Sequence, residues 1–239
     1  MPNIRQRKSF SDFFKRHVHA GERPAHEVEE ATRNYERIEH ETEHETSEHG
    51  LARKWDTLQP HYSKLFGLES MRGDAEYIFP QARFRSQDHV LSIGSGPAVL
   101  DNYIAKHFVR GGKVTCIDIS PKMNDEARQL GERAQVPNIS FITANAAKLP
   151  IQNSTQDKII LGYGLLATRN PEGTLNEAYR GIKKDGNSRL ILLEAVEHMG
   201  MASGLLHGLA LTGFEVTHKE ARHTSTGIIK VCVTAKPKK

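Results

Sequence analysis

From His89 onward, short apolar runs alternate with stretches of helical spacing, the pattern that builds a parallel sheet from strand–helix units. "HVLSI" (89–93) predicts a buried strand. Leu100, Tyr103, Ile104 and Phe108 then recur at i, i+3, i+4 and i+8, one face of a helix. "KVTCI" (113–117) predicts a second strand and is followed by a helix from Pro121; "ISFIT" (139–143) and "KIILGY" (158–163) predict a third and a fourth. Leu175, Ala178, Tyr179 and Ile182 mark another helix, ending near the "KKDGN" turn, and "RLILLE" (189–194) predicts a fifth strand. The tail differs: "GFEVTHKEA" (213–221) and "GIIKVCVTAK" (227–236) follow each other across the turn-rich "RHTST". They can pair as an antiparallel hairpin without a crossover helix. The pattern as a whole predicts an α/β, doubly wound, mostly parallel seven-stranded sheet closed by that hairpin.

Before residue 85 the spacing is helical. Val28, Ala31, Tyr35 and Ile38 form a narrow apolar stripe on an otherwise charged helix. "WDTLQPHYSKLFGL" (55–68) carries the only Trp and is expected to lie as a lid or brace on the main domain. The expected division is therefore a helical extension over 1–84 and a Rossmann-like domain over 85–239.

Composition narrows this picture only slightly. With 239 residues, 37% hydrophobic and 26% charged, the chain can bury one sizeable core under a polar exterior. No apolar run approaches the roughly 18–20 residues of a membrane span. Cys116 and Cys232 are too few for a disulfide framework or a four-thiolate zinc site, and both fall in apparent buried strands. A cytoplasmic location is the default expectation. The net charge of +4 is uneven. Residues 1–24 carry Arg5, Arg7, Lys8, Lys15, Arg16 and Arg23, whereas 26–49 hold nine glutamates against Arg33 and Arg37. A basic leader with Phe10, Phe13 and Phe14 is open to three readings: a nucleic-acid or membrane contact, a transit peptide, or a solvated helix.

The candidate chemistry lies in "VLSIGSGPAVLDNYIAKHF" (90–108). A strand ends at Ile93, a tight turn holds Gly94 and Gly96, and a helix starts beside Pro97. Such a turn lets backbone approach a ligand closely and aims free N–H groups and a helix dipole at it. Glycine pairs alone are weak evidence, but "VTCIDIS" adds Asp118 at the end of the next strand, 24 residues after Gly94. A carboxylate there can accept hydrogen bonds from both ribose hydroxyls of an adenosyl ligand.

With these residues the chain resembles the class I S-adenosylmethionine-dependent methyltransferases, in particular the small-molecule branch of ubiquinone- and menaquinone-type C-methyltransferases. "VLSIGSGPAVL" is similar to the family's glycine motif and "VTCIDIS" to its acidic motif, with "ITANAAKLPI" (142–151) and "DKIILGYGLL" (157–166) following in order. The resemblance implies S-adenosylmethionine as cofactor. Gly94, Ser95 and Gly96 would then lie at its methionine end, with Pro97 also among the cofactor-binding residues, Asp118 at the ribose and Ile119 on the adenine. Asn145 and Ala146 would meet the adenine amino edge. Gly162 and Tyr163 would face the sulfonium and the acceptor, and Tyr62 would close over the cofactor. Three positions depart from the family pattern. Ser92 stands where the family has an acid that binds the cofactor's amino group or orders the glycine loop, Ala98 replaces the third glycine, and Asn145 replaces an Asp.

Methyl transfer asks little of side chains beyond positioning and sometimes a base. Tyr163, Glu194 and His198 follow strand ends and are the candidate bases. "HETEH" (40–44) matches H-E-x-x-H literally, with His49 downstream, but its nearly all-polar setting argues against a metalloprotease helix, and no metal is assigned. The leading reading is methyl transfer to a small organic acceptor. The alternatives are an RNA methyltransferase gripping phosphates through the basic termini, a nicotianamine-synthase-like aminocarboxypropyl transferase, and a non-catalytic cofactor-binding scaffold.

Overall fold

The structure is a computed structural model, and it describes residues 25–42, 44–45, 47–65, 79–196, 198–223 and 229–238. The basic leader and most of the "RHTST" turn lie outside the described residues.

Two helices come first, α1 (Ala25–Glu41) and α2 (Glu48–Leu65). They are followed by β1 (His89–Ile93), α3 (Val99–His107), β2 (Lys113–Asp118), α4 (Pro121–Arg133), β3 (Ile139–Thr143) and β4 (Lys158–Gly162). Then come α5 (Pro171–Gly181), β5 (Arg189–Val196), α6 (Met199–Leu211), β6 (Phe214–His223) and β7 (Ile229–Pro237). The seven strands form one sheet in the order β3-β2-β1-β4-β5-β7-β6. β1 to β5 pair in parallel, and β7 runs antiparallel between β5 and β6.

The central strands read as continuous apolar runs because they are covered on both faces. One face of the sheet is built around Tyr103 and Ile104 of α3 and Ala127 of α4, with Ile160 and Ile191 beneath them. The other face packs Leu175 and Ala178 of α5 and Leu205 and Leu209 of α6 on Ile159, Leu161 and Leu192. Each such fully buried aliphatic side chain stabilises the fold by roughly 1.5–3 kcal/mol. Cys116 and Cys232 lie in this core as buried, reduced thiols. β6 is an edge strand with one exposed face, as its mixed sequence implies.

Helix starts are set locally. Ser120 Oγ accepts from the Met123 amide at 3.1 Å with Pro121 in the first turn of α4. Asn170 Oδ1 accepts from the Gly173 amide at 2.8 Å with Pro171 in the first turn of α5. Both pair a side-chain acceptor with a proline whose missing N–H costs nothing there.

α1 and α2 lie against each other through buried Ala31, Ile38 and Leu58, with a 2.6 Å ion pair from Lys54 to Glu39. α2 then rests on the sheet domain. Asp56 Oδ1 accepts from Ser120 Oγ at 2.6 Å and from the Lys122 amide at 3.1 Å, and Gln59 donates to Glu126 at 2.6 Å. α1 ends at Glu41, so His40 is helical and His44 is not, and the two do not share one helix face. Among the described residues, no three His, Cys, Asp or Glu side chains are grouped to hold a metal ion.

Candidate cofactor site

β1 has parallel neighbours on both sides, β2 and β4, so the chain leaves it in opposite directions and opens a crevice beyond the strands' carboxyl ends. The turn after β1 enters that crevice. Gly94 and Gly96 adopt φ of +66° and +52°, a left-handed conformation that glycine reaches without strain. A Cβ on Gly94 would stand 3.2 Å from the Gly164 Cα, so this glycine also permits the approach of two loops. Ala98 adopts φ +50° and ψ +37° at the start of α3, the conformation that a third glycine would take more easily.

Asp118 closes the turn. One carboxylate oxygen accepts the Gly96 amide at 2.8 Å and the other the Ser120 amide at 2.9 Å. Burial raises the Asp118 carboxyl, while the amides of Ser120, Gly96 and Ile119 pull it back. Asp118 lines the crevice, and an ionised carboxylate has acceptor sites beyond those the amides occupy.

The crevice holds two cavities. The first is lined by Asp118, Ile119, Asn145 and Ala146 together with Gly96, and is roofed by Glu48, Leu51 and Trp55 of α2. The second runs under the start of α3, past Ser95, Pro97, Ala98 and Asp101 to Ser92. Tyr62, Gly94, Gly162 and Tyr163 line both and mark where they meet. All eleven residues that the resemblance assigned to the cofactor thus line this pair of cavities. Tyr62 stands edge-on to Trp55 with ring centroids 6.2 Å apart. Asn145 is engaged on both sides, its oxygen accepting from the Ala147 amide at 2.9 Å and its amide donating to Glu48 at 3.1 Å.

Of the three candidate bases, only Tyr163 lines the cavities. It leaves β4 at φ +59°, a conformation uncommon for a bulky residue, and Lys230 Nζ lies 5.3 Å from its ring centroid. Glu194 faces inward: Oε1 accepts the amides of Leu165 at 2.7 Å and Leu166 at 3.2 Å. Burial lifts its carboxyl to about 7. His198 is exposed at the start of α6.

Glu48, Asp101 and Arg169 join the cavity walls without having been singled out in the sequence. Trp55, on the segment expected to lie as a lid or brace, lines the first cavity. Glu48 and Asp101 carried no signal, being acids among many.

The fit to an adenosyl amino acid is direct. One chamber offers a buried carboxylate beside apolar walls, the other a glycine turn and an acid, and the two join at glycines.

The strand order and the site at the switch point define a Rossmann-like methyltransferase fold. The chain belongs to the ubiE/COQ5 methyltransferase family, whose family model matches residues 68–204. It is 31% identical over 137 residues to the ubiquinone/menaquinone biosynthesis C-methyltransferase UbiE of Coxiella burnetii, covering 57% of this chain and 53% of that protein. It is 28% identical over 150 residues to the demethylmenaquinone methyltransferase of Lactiplantibacillus plantarum, covering 61% and 62%. The chain spans about half the length of the Coxiella relative. Among solved structures, it shares its fold with a phosphoethanolamine N-methyltransferase 2 of Haemonchus contortus in complex with phosphomonomethylethanolamine and S-adenosylhomocysteine. The TM-score is 0.64 at 12% identity, covering 81% of this chain and 61% of that one. No helix among the described residues is long and apolar enough to cross a membrane.

Proposed function

We propose that the chain is an S-adenosylmethionine-dependent methyltransferase acting on a small organic acceptor. The observation that carries this reading is Asp118, a buried carboxylate that ties down Gly96 while opening into a cavity continuous with the glycine turn. The bound cofactor supplies a methyl group already activated as a sulfonium. The chain's own residues then bind, orient and exclude water. Asp118 takes the ribose hydroxyls, Ile119 and Met123 flank the adenine, and Glu48 stands beside Asn145 with a carboxylate for the adenine amino group. Tyr163 holds or removes a proton at the acceptor in this reading, supported by its presence in the lining of both cavities.

Within the expected helical extension, α2 acts as the roof over the cofactor domain of residues 85–239, a reading supported by Glu48, Leu51 and Trp55 in the cavity wall and by the hydrogen bonds that seat α2 on α4. A cytoplasmic location belongs to the same proposal, supported by two buried cysteines in reduced form.

Calorimetric titration of S-adenosylmethionine and S-adenosylhomocysteine into the full chain tests the cofactor. Incubation with acceptors headed by demethylmenaquinone tests the reaction. Micromolar binding and release of S-adenosylhomocysteine support the proposal. Release of methylthioadenosine instead points to transfer of the aminocarboxypropyl arm, and absence of binding removes the enzyme reading.

A further inference from the structure

The second cavity has a single carboxylate in its wall. Asp101, on the first turn of α3, is 5% exposed and sits opposite Ser92 of β1. The remaining lining among the described residues is uncharged: small residues and aliphatic side chains with the phenols of Tyr62 and Tyr163. The cavity offers about 80 Å³, several times the roughly 10–15 Å³ that one water needs.

The Asp101 carboxylate is incompletely satisfied. Ser92 supplies a side-chain hydrogen bond, yet Oδ1 is buried with no hydrogen-bond partner. Burial lifts the acid to about 6, with the Ser92 hydroxyl and the backbone pulling it back. A buried carboxylate with an open oxygen calls for a donor, and a cationic donor satisfies both its lone pair and its charge.

We propose that Asp101 is the residue that receives the α-ammonium group of the bound S-adenosyl ligand, Ser92 orienting its carboxylate from the strand. This rests on the cofactor reading above and deepens it. The position that could have carried an acid on β1 holds a hydroxyl, and the acid reaches the same chamber from the helix. A purely local role is the competing explanation, because a carboxylate in the first turn of a helix is favoured by the dipole and needs no ligand.

The two are separated by ligands that differ only in the amino-acid arm. S-Adenosylhomocysteine carries the ammonium. Its deaminated analogue lacks that group alone, and methylthioadenosine lacks the arm's amino and carboxyl groups altogether. In calorimetric titrations, the unaltered chain is expected to bind S-adenosylhomocysteine about 10- to 100-fold more tightly than the deaminated analogue. Asp101→Asn is expected to lose that preference while binding methylthioadenosine within about twofold of the parent. Ser92→Asp combined with Asp101→Asn is expected to restore the preference by returning the acid to β1.

Equal affinity of the unaltered chain for S-adenosylhomocysteine and its deaminated analogue overturns the assignment while leaving the cofactor reading intact. Loss of methylthioadenosine and S-adenosylhomocysteine together in Asp101→Asn overturns it in favour of a helix-capping role. Failure of the unaltered chain to bind any of the three removes the cofactor reading and this assignment with it. The analogue comparison on the unaltered chain decides the question even where Asp101→Asn does not fold.

Discussion

Glu194 accepts the backbone N–H of Leu165 at 2.7 Å, binding the end of β5 to the loop that follows β4. That loop carries Gly164, Ala167 and Thr168 into the wall of the first cavity. Glu194, expected at a strand end where it would resemble a catalytic base, lies inside β5 and is turned inward to hold a cavity wall in place.

This arrangement sets a pH dependence. Burial lifts the folded-state value of Glu194 to about 7, above the roughly 4.3 of an unfolded glutamate. The folded chain therefore holds the proton longer, and the stabilisation is complete below the unfolded value and lost as pH rises through about 7. Glu194→Gln keeps an oxygen for Leu165 and removes the titration. Urea denaturation from pH 4.5 to 8 is expected to show the variant gaining on the parent with rising pH, by on the order of 3 kcal/mol in all. A constant difference across that range would remove Glu194 as the source.

Asp118→Asn leaves one oxygen to serve the two amides of Gly96 and Ser120. Hydrogen bonds to charged groups contribute about 1.5–3 kcal/mol, so affinity for S-adenosylhomocysteine is expected to fall by about 10- to 100-fold. Calorimetry reads the loss, and near-ultraviolet circular dichroism checks that the core is intact.

Gly94→Ala meets two obstacles at once, φ of +66° and a Cβ 3.2 Å from the Gly164 Cα. The left-handed conformation alone costs an alanine roughly 1–2 kcal/mol, so the denaturation midpoint should fall. Gly162→Ala is the control: its Cβ would meet nothing within 4 Å and its φ is not left-handed. It is expected to leave stability within about 1 kcal/mol of the parent.

Asp56→Ala removes the acceptor for Ser120 Oγ and for the Lys122 amide at the start of α4. Losing a carboxylate at a helix N-terminus costs about 1 kcal/mol. Because α2 also brings Leu51, Trp55 and Tyr62 to the cavities, S-adenosylhomocysteine should leave faster from this variant. Stopped-flow measurement following Trp55 fluorescence reads the rate, and an unchanged rate would show that α2 does not retain the ligand.

The strands were legible because burial on both faces leaves continuous apolar runs, and β1 and β3 match their predicted bounds residue for residue. β4 stops one residue earlier than the run "KIILGY" suggests, because Tyr163 turns to φ +59° after donating its N–H to Leu193. β5 extends two residues beyond "RLILLE", because β7 pairs with it through Val196↔Ile229. The glycine turn and Asp118 were legible because both are tied to backbone geometry at a strand end. Asp101 and Glu48 were not, because an acid on a helix looks the same whether it faces water or a cavity.

By itself the sequence determined the alternation of strands and helices, the closing hairpin and the place of the glycine turn, since these follow from local periodicity and backbone freedom. Only the tertiary structure decided which acids besides Asp118 reach the crevice. Asp101 and Ser92 are nine residues apart in the chain, and Glu48 and Asn145 are separated by 97. Each pair meets because a helix is laid over a strand end, and no local pattern encodes that contact.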